Sequence, residues 1–332
     1  MAELKVIKET YALHSDFAIS RSSKSAIDVV VVEINDGEHT GRGECRPYER
    51  YNQSSETVVG QIDSVQSMVE DTLSRSELLE ALPAGAARNA IDCALWDLES
   101  KQQGKSVWEM IGGSLPLNPV STVQSLSLGA PETMAESAKY HSDYKTLKIK
   151  LSGDEGDLDR LRAIHQARPD AKFVVDANEG WSFEQLQRFV DEVQNLNVFM
   201  IEQPLPHESD EKLLGYDSGN IVLCGDESIH DISDLKQKSE LYGMVNFKLD
   251  KSGGLTHALE MRAELEKINQ QGKNIQLMIG CMVSTSLAIQ PHILLAQECD
   301  LADLDGPWWI KERRKNGVEY ENGTIIPCSL WG

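Results

Sequence analysis

Apolar and polar positions follow two different rhythms along this chain, and the change falls near residue 117. From Val120 onward short apolar runs recur at steady spacing. They are Thr122–Leu128, Thr146–Leu151, Lys172–Asn178, Val198–Gln203, Ile221–Asp226, Met244–Leu249, Ile275–Gly280 and Ala302–Asp305. Each has the length of a strand. Between them lie segments with apolar residues at helical spacing, such as DLDRLRAIHQAR (157–168), SFEQLQRFVDEVQNL (182–196) and LTHALEMRAELEKINQQG (255–272). Strand and helix in alternation predict an α/β protein with a parallel sheet, closed as a barrel or open and doubly wound. The barrel is favoured, because the rhythm runs through eight strands and no GxGxxG follows the first. No helical pattern follows the eighth strand, so the spacing predicts a modified TIM barrel of (β/α)7β form over 117–306.

The first 116 residues read differently, as an α+β mixture. Ala26–Ile34 (AIDVVVVEI) predicts a buried strand, and Thr40–Glu44 (TGRGE) its turn-linked partner. Ala84–Glu99 carries apolar residues at helical spacing with few β-branched ones, which predicts a core helix. Gly112-Gly113 and Pro116 then punctuate the chain as a domain boundary.

Charge narrows the partners. Against 53 Asp and Glu the chain has 32 Lys and Arg, a formal net charge of −21. Such a surface repels nucleic-acid phosphates and anionic lipid, so neither is an expected partner. An acidic small molecule stays possible, because a buried pocket can hold local positive charge. No run approaches the ~18 apolar residues of a membrane span, and MAELKVIKETYALHSDF lacks the apolar stretch of a secretory leader. Six cysteines are scattered without a CxxC pair or a Cys/His cluster, which predicts core thiols in a reducing cytoplasm.

Chemistry concentrates at the predicted strand ends. Asp176 (FVVDAN), Glu202 (FMIEQP) and Asp226 (VLCGDES) stand 26 and 24 residues apart, one βα unit each. In a barrel the C-terminal strand ends meet at one mouth, so the three carboxylates would converge. Hard oxygen donors without His or Cys suit Mg²⁺. Any one of them read alone could simply cap the following helix. Lys148 and Lys150 (TLKIKL) share the inward face of the second strand by their period of two, and Lys248 (VNFKLD) ends the sixth. Inward lysines are costly unless carboxylates or a ligand pair with them. Lys251, past that strand, is expected to be a loop charge. Asp303 and Asp305 (ADLDGP) form another inward pair, suited to capping, to a turn or to a substrate ammonium group.

Together KIK (148–150), DAN (176–178), EQP (202–204), DES (226–228) and KLDKSGG (248–254) resemble the enolase superfamily, in its muconate-lactonising-enzyme-like branch. The closing DLDGP (303–307) resembles the dipeptide epimerase family, whose members include enzymes for L-Ala-D/L-Glu. The likeness extends to GECRPYERY (43–51), AARNAIDCALWDLE (86–99) and GCMVSTS (280–286), nearly the whole chain.

The resemblance implies an isomerase. Asp176, Glu202 and Asp226 match the Mg²⁺ ligands; Lys150 and Lys248 match acid/base catalysts on opposite faces of the substrate carbon. Lys148 matches the lysine that assists at the substrate carboxylate, and Asp303 and Asp305 match the pair for a dipeptide ammonium. Cys281 and Met282 fall in a substrate-facing motif. The N-terminal domain (1–116) would cap the barrel, with loops around Ser20–Ser25 and Pro47–Asn52 closing over the dipeptide and 307–332 returning to the cap. Arg21 and Lys24 are the nearest capping-loop cations for a substrate side-chain carboxylate, with Arg50 another. A base lysine must be neutral at working pH, so adjacent cations are expected to lower its pKa. Related o-succinylbenzoate synthases and N-acyl amino acid racemases use the same lysines, but their substrates carry no ammonium for Asp303 and Asp305. A non-catalytic protein on this fold would predict a broken set. A homo-oligomer is compatible with all of these readings, and recycling of murein peptides is the setting the resemblance suggests.

Overall fold

The computed structural model describes residues 2–332. Three strands, β1 (Glu3–Ile19), β2 (Ser22–Asn35) and β3 (Thr40–Cys45), make an antiparallel sheet in that order. Its long first strand is legible in hindsight as the polar/apolar alternation of LKVIKETYAL, which pairs residue for residue with β2 from Glu3 opposite Asn35 to Ala12 opposite Ala26. Helix Ala86–Gln103 lies on this sheet, buried along almost its whole length. The two meet so closely at β3 that a Cβ on Gly43 would overlap the carbonyl of Ala90. Helix Ser55–Glu70, not anticipated above, opens on a Ser54/Thr57 capping box and buries Val58, Ile62, Val65 and Val69 on one face.

Eight parallel strands follow. A two-residue strand β4 (Val120–Ser121) precedes β5 (Gln124–Leu126), β6 (Thr146–Lys150), β7 (Lys172–Asp176), β8 (Val198–Glu202), β9 (Val222–Gly225), β10 (Met244–Phe247), β11 (Gln276–Gly280) and β12 (Leu301–Asp303). Strands β5 to β12 hydrogen-bond in sequence order. The last meets the first where Val123 N–H donates to Ala302 O at 2.9 Å, so the barrel is nearly closed. All crossovers but one carry an α-helix; between β8 and β9 there is a 3₁₀ segment, His207–Leu213. After β12 comes a 3₁₀ turn, Gly306–Trp309, and no α-helix, as the (β/α)7β pattern predicts.

Period-two alternation sorts every barrel strand. Leu147, Ile149, Phe173, Val175, Ile201 and Leu223 pack outward under the helices. Val174, Met200, Cys224, Met244 and Met278 point inward and fill the barrel floor, with Val123. The next inward positions toward the C-terminal ends are Asp176, Glu202 and Asp226 after the floor residues of β7, β8 and β9, and Asn246, then Lys248, after Met244.

The chain end packs on the N-terminal sheet and helix. Lys311 N–H donates to Ala12 O, Trp331 Nε1 to Cys93 O, and Gly332 N–H to Asp97. Strands β13 (Glu319–Glu321) and β14 (Thr324–Ile326) join β4 in a small third sheet. No helix of the described residues is long and apolar enough to cross a membrane.

The sheet–helix contact at Gly43 gives a direct check. Gly43→Ala forces the helix off the sheet and lowers unfolding free energy by about 2 kcal/mol, typical of overpacking. A denaturant titration measures it, and an unchanged midpoint would show that the helix steps back freely.

Candidate active site

Successive strands of the barrel carry charge inward at their C-terminal ends. Lys148 and Lys150 come from β6, Asp176 from β7, Glu202 from β8, and Asp226 from just past β9. Lys248 stands immediately beyond β10, and Asp303 and Asp305 at and after β12. All eight are buried. The register explains the convergence, since Lys150 lies beside Asp176 and Asp176 beside Glu202.

The pairs are tight. Lys150 Nζ donates to Asp176 Oδ2 at 2.6 Å, Lys148 Nζ to Asp303 Oδ2 at 2.7 Å, and Lys248 Nζ to Asp226 Oδ2 at 2.5 Å. Lys148 also stands 3.1 Å from Asp176 and 2.8 Å from Glu202 Oε2, the latter without hydrogen-bond geometry. Glu202 Oε1 accepts from Asn246 Nδ2 at 2.9 Å.

Lys251 is a correction. Instead of a loop charge it is a buried cation beneath Asp226, donating to Asp226 Oδ1 at 2.5 Å and to Asn246 O at 3.1 Å. A four-residue helix, Leu249–Ser252, turns its side chain back under the strand ends. Only the tertiary fold brings that about; the one available signal was the KLDKSGG motif itself.

Around Lys148 and Lys248 the strand-end acids outweigh the neighbouring lysines. Burial would lower both, but the acids prevail: Asp303, Glu202 and Asp176 hold Lys148 well above its usual range, and Asp226 does so for Lys248. Only Lys251 is lowered, by burial. Among the acids, burial pushes Glu202 up to about 7, with Lys148 opposing and Asp176 and Asp226 adding to the rise. Asp305 rises to about 6 through burial and its neighbour Asp303.

This donor set fits a small divalent cation. Asp176, Glu202 and Asp226 offer only carboxylate oxygens, Glu202 Oε2 accepts no hydrogen bond among the described residues, and burial, with Asp176 and Asp226 adding, holds Glu202 toward neutrality. A different trio, Glu179, His207 and Glu208, also brings possible ligand atoms within 4.8 Å of one another. There Glu179 already meets two guanidinium groups, Arg21 at 2.9 Å and Arg50 at 2.7 Å, so its charge is answered.

A cavity opens above the strand ends. The barrel supplies Lys148, Lys150, Asn178, Asp226, Glu227, Lys248, Cys281, Met282, Asp303 and Asp305; the N-terminal sheet and its loops supply Phe17, Ile19, Lys24, Arg46, Tyr48 and Tyr51. Asp176 and Glu202 are wholly buried and do not line it. Of the capping-loop cations Lys24 reaches the cavity and pairs with Glu49 at 2.9 Å. Arg21 does not line it, and instead bridges Glu227 at 2.7 Å and Glu179. Arg50 grips both oxygens of Glu179 at 2.7 Å each. Asn178 and Glu179, both at positive φ, are thus clasped by two loops of the N-terminal region.

Known proteins share this architecture. A family model described as mandelate racemase / muconate lactonizing enzyme, N-terminal domain, matches residues 1–112, and one described as enolase C-terminal domain-like matches 132–332. The L-Ala-D/L-Glu epimerase of Escherichia coli (strain K12) is 42% identical over 327 residues, 98% of this chain and 99% of that one. The N-acetyl-D-glutamate racemase of a Pseudoalteromonas species is 40% identical over 309 residues, 92% and 95% of the two chains. Among solved structures, an enolase family member from Agrobacterium tumefaciens with homology to dipeptide epimerases, holding sodium and L-Ala-L-Glu, is 41% identical. It covers 100% of both chains with a TM-score of 0.95. A dipeptide epimerase from Enterococcus faecalis V583, complexed with Mg and L-Leu-L-Tyr, is 25% identical with a TM-score of 0.90 over 99% and 98% of the chains.

Removing Lys251 tests the charge balance under the site. Lys251→Met removes one of the two lysines on the buried Asp226 carboxylate, leaving Lys248, and costs about 1.5–3 kcal/mol of stability, the worth of a hydrogen bond to a charged group. Chemical denaturation reads the loss, and a variant as stable as the parent would contradict the pairing.

Proposed function

The chain belongs to the mandelate racemase/muconate lactonizing enzyme family of the enolase superfamily, and on that footing we propose that it is a dipeptide epimerase. Its reaction is a 1,1-proton transfer at the α-carbon of the C-terminal residue, converting L-Ala-L-Glu to L-Ala-D-Glu. The observation that carries this reading is the placement of Lys150 and Lys248 on opposite strands of one mouth, with Asp303 at a third side. Among the described residues Asp303 Oδ1 has no hydrogen-bond partner, and it is free to accept from a substrate ammonium group.

Abstraction of an α-proton beside a carboxylate leaves a second negative charge on the carboxylate oxygens, which must be stabilised as it forms. Mg²⁺ held by Asp176, Glu202 and Asp226 would supply positive charge that stabilises that anion and neutralises the acids around the lysines. Lys148 adds a fixed cation at the same carboxylate. One of Lys150 and Lys248, as the neutral amine, takes the proton from one face; the other, as ammonium, returns a proton to the opposite face. The centre inverts without a nicotinamide or pyridoxal group. Lys24 reaches the cavity wall already paired with Glu49; Arg21, engaged by Glu227 and Glu179, is placed to hold the loop, and Cys281 and Met282 pack at the ammonium end.

We also divide the chain into a cap (1–116), a barrel (117–306) and a returning segment (307–332), supported by the contacts of Trp331 and Gly332 with the cap helix. Six free cysteines support a reducing cytoplasm.

A second reading, racemisation of N-acylated glutamate, draws on the relative with that activity. It leaves Asp303 Oδ1 without a cation, so the dipeptide is favoured. In heavy water L-Ala-L-Glu gains deuterium at the C-terminal α-carbon, and polarimetry follows inversion; faster turnover of N-acetyl-L-glutamate would reverse the ranking. Lys150→Ala and Lys248→Ala each lose epimerisation by about 100- to 10,000-fold, the span of general acid–base catalysis, and each retains exchange on one antipode only. Inversion that survives in either variant would contradict the two-base scheme. Chelation with EDTA abolishes turnover and Mg²⁺ restores it; activity indifferent to both would refute the metal assignment.

A further inference from the structure

Three arginines are buried in this protein, and two of them are saturated. Arg88 gives its N–H groups to the carbonyls of Leu79, Leu82, Ser252 and Gly253 and to His257. Arg168 meets the carbonyls of Ala138, His141 and Tyr144 and the carboxylate of Asp170. Such saturation is what a buried guanidinium requires, with five N–H donors and no acceptor.

Arg46 is the exception. Its side chain is 9% exposed yet makes one hydrogen bond, from Nη1 to Val283 O at 2.9 Å. Among the described residues it forms no ion pair; the nearby Asp250 is engaged by the Arg46 backbone N–H at 3.0 Å and by Asn89 at 2.9 Å. Burial lowers the guanidinium's pKa, and Asp250, Asp28 and Glu49 do not offset it, although an arginine stays charged regardless. Most of its planar fork is therefore free, and it lines the cavity. The other cavity cations are committed: Lys148, Lys150 and Lys248 to the strand-end acids, and Lys24 to Glu49.

We propose that Arg46 binds the side-chain carboxylate of the substrate's C-terminal residue and makes the site selective for an acidic residue there. This rests on the epimerase reading. That reading places the α-carbon between Lys150 and Lys248, its carboxylate at Lys148 and the strand-end acids, and the ammonium at Asp303. The remaining substituent is the side chain, which points away from the strand ends toward the cap, the wall that Arg46 occupies. A carboxylate there satisfies the fork at two points and supplies the missing countercharge.

The test compares L-Ala-L-Glu with its neutral isostere L-Ala-L-Gln in Arg46→Gln and Arg46→Lys. Arg46→Gln loses about 10- to 100-fold in kcat/KM on L-Ala-L-Glu, the worth of a charge-assisted pair in a closed site. The loss falls mainly on KM, turnover of L-Ala-L-Gln changes little, and Arg46→Lys recovers most of it. Equal losses on both dipeptides, or none on L-Ala-L-Glu, would overturn the assignment. Thermal midpoints of the variants separate misfolding from lost recognition. A catalysis-free arm uses glutarate and butyrate as probes: glutarate raises the midpoint of the parent more than butyrate does, and Arg46→Gln erases that difference. Equal protection of parent and variant refutes the role of Arg46 whatever the dipeptide assay shows. Lost glutarate protection in a protein that epimerises nothing would instead sink the epimerase reading and leave the anion site standing.

Discussion

Burying charge at the open end of a barrel is permitted only where each charge finds its opposite, and that constraint organises this molecule. Lys148, Lys150, Lys248 and Lys251 are all lost to solvent, as are Asp176, Glu202, Asp226, Asp303 and Asp305. An unpaired ion in such a place costs several kcal/mol. Strand register is therefore not negotiable: a slip of one residue would swap Lys150 and Asp176 for Ile149 and Val175 and put charge beneath the helices. The apolar floor of Val174, Met200, Cys224, Met244 and Met278 sets how deep the charges lie. Burial shows its cost in Glu202 and Asp305, both pushed up by desolvation with neighbouring carboxylates adding to the rise.

The N-terminal region serves the same end. Asn89 and the Arg46 backbone fix Asp250, next to Lys251, while Glu44 accepts from Thr285 N–H at 2.8 Å and pairs with Arg314. Arg21 and Arg50 hold the positive-φ pair Asn178 and Glu179 from above. Each joins a loop of one region to a strand end of the other, so the cap and the catalytic floor are coupled through ion pairs as well as through the apolar seam of Leu13, Ile27, Val29, Val283 and Trp309. A negative protein thereby keeps a locally positive cavity wall, at Lys24 and Arg46.

Much of this was legible in the residue order because period-two alternation is a local rule. TLKIK must place both lysines on one face, and FVVD, FMIE and LCGD must each end an apolar strand on an acid. Other features were legible but passed over: LKVIKETYAL alternates as an edge strand should, and Ser54 with Thr57 announces the helix that follows. The burial of Lys251 is not legible in the sequence because a single turn of helix reverses the direction of its side chain, and no periodicity describes one turn. The counter-charge of Lys148 is hidden from the sequence for a related reason. The sequence shows which cations adjoin it along the strand, whereas Asp303, its closest partner, is 155 residues away.

The amino-acid sequence by itself determined the barrel, the number of its strands and the set of acids and lysines at their ends, since each follows from spacing within a few dozen residues. Tertiary structure decided which charge answers which, and so which are left over. Arg21 stands out in the sequence as a capping-loop cation, whereas Arg46, just past the end of β3, carries no such signal. Folding commits Arg21 to Glu227 and leaves Arg46 facing the cavity with its fork unfilled, because the positions of counterions are set by contacts between distant segments.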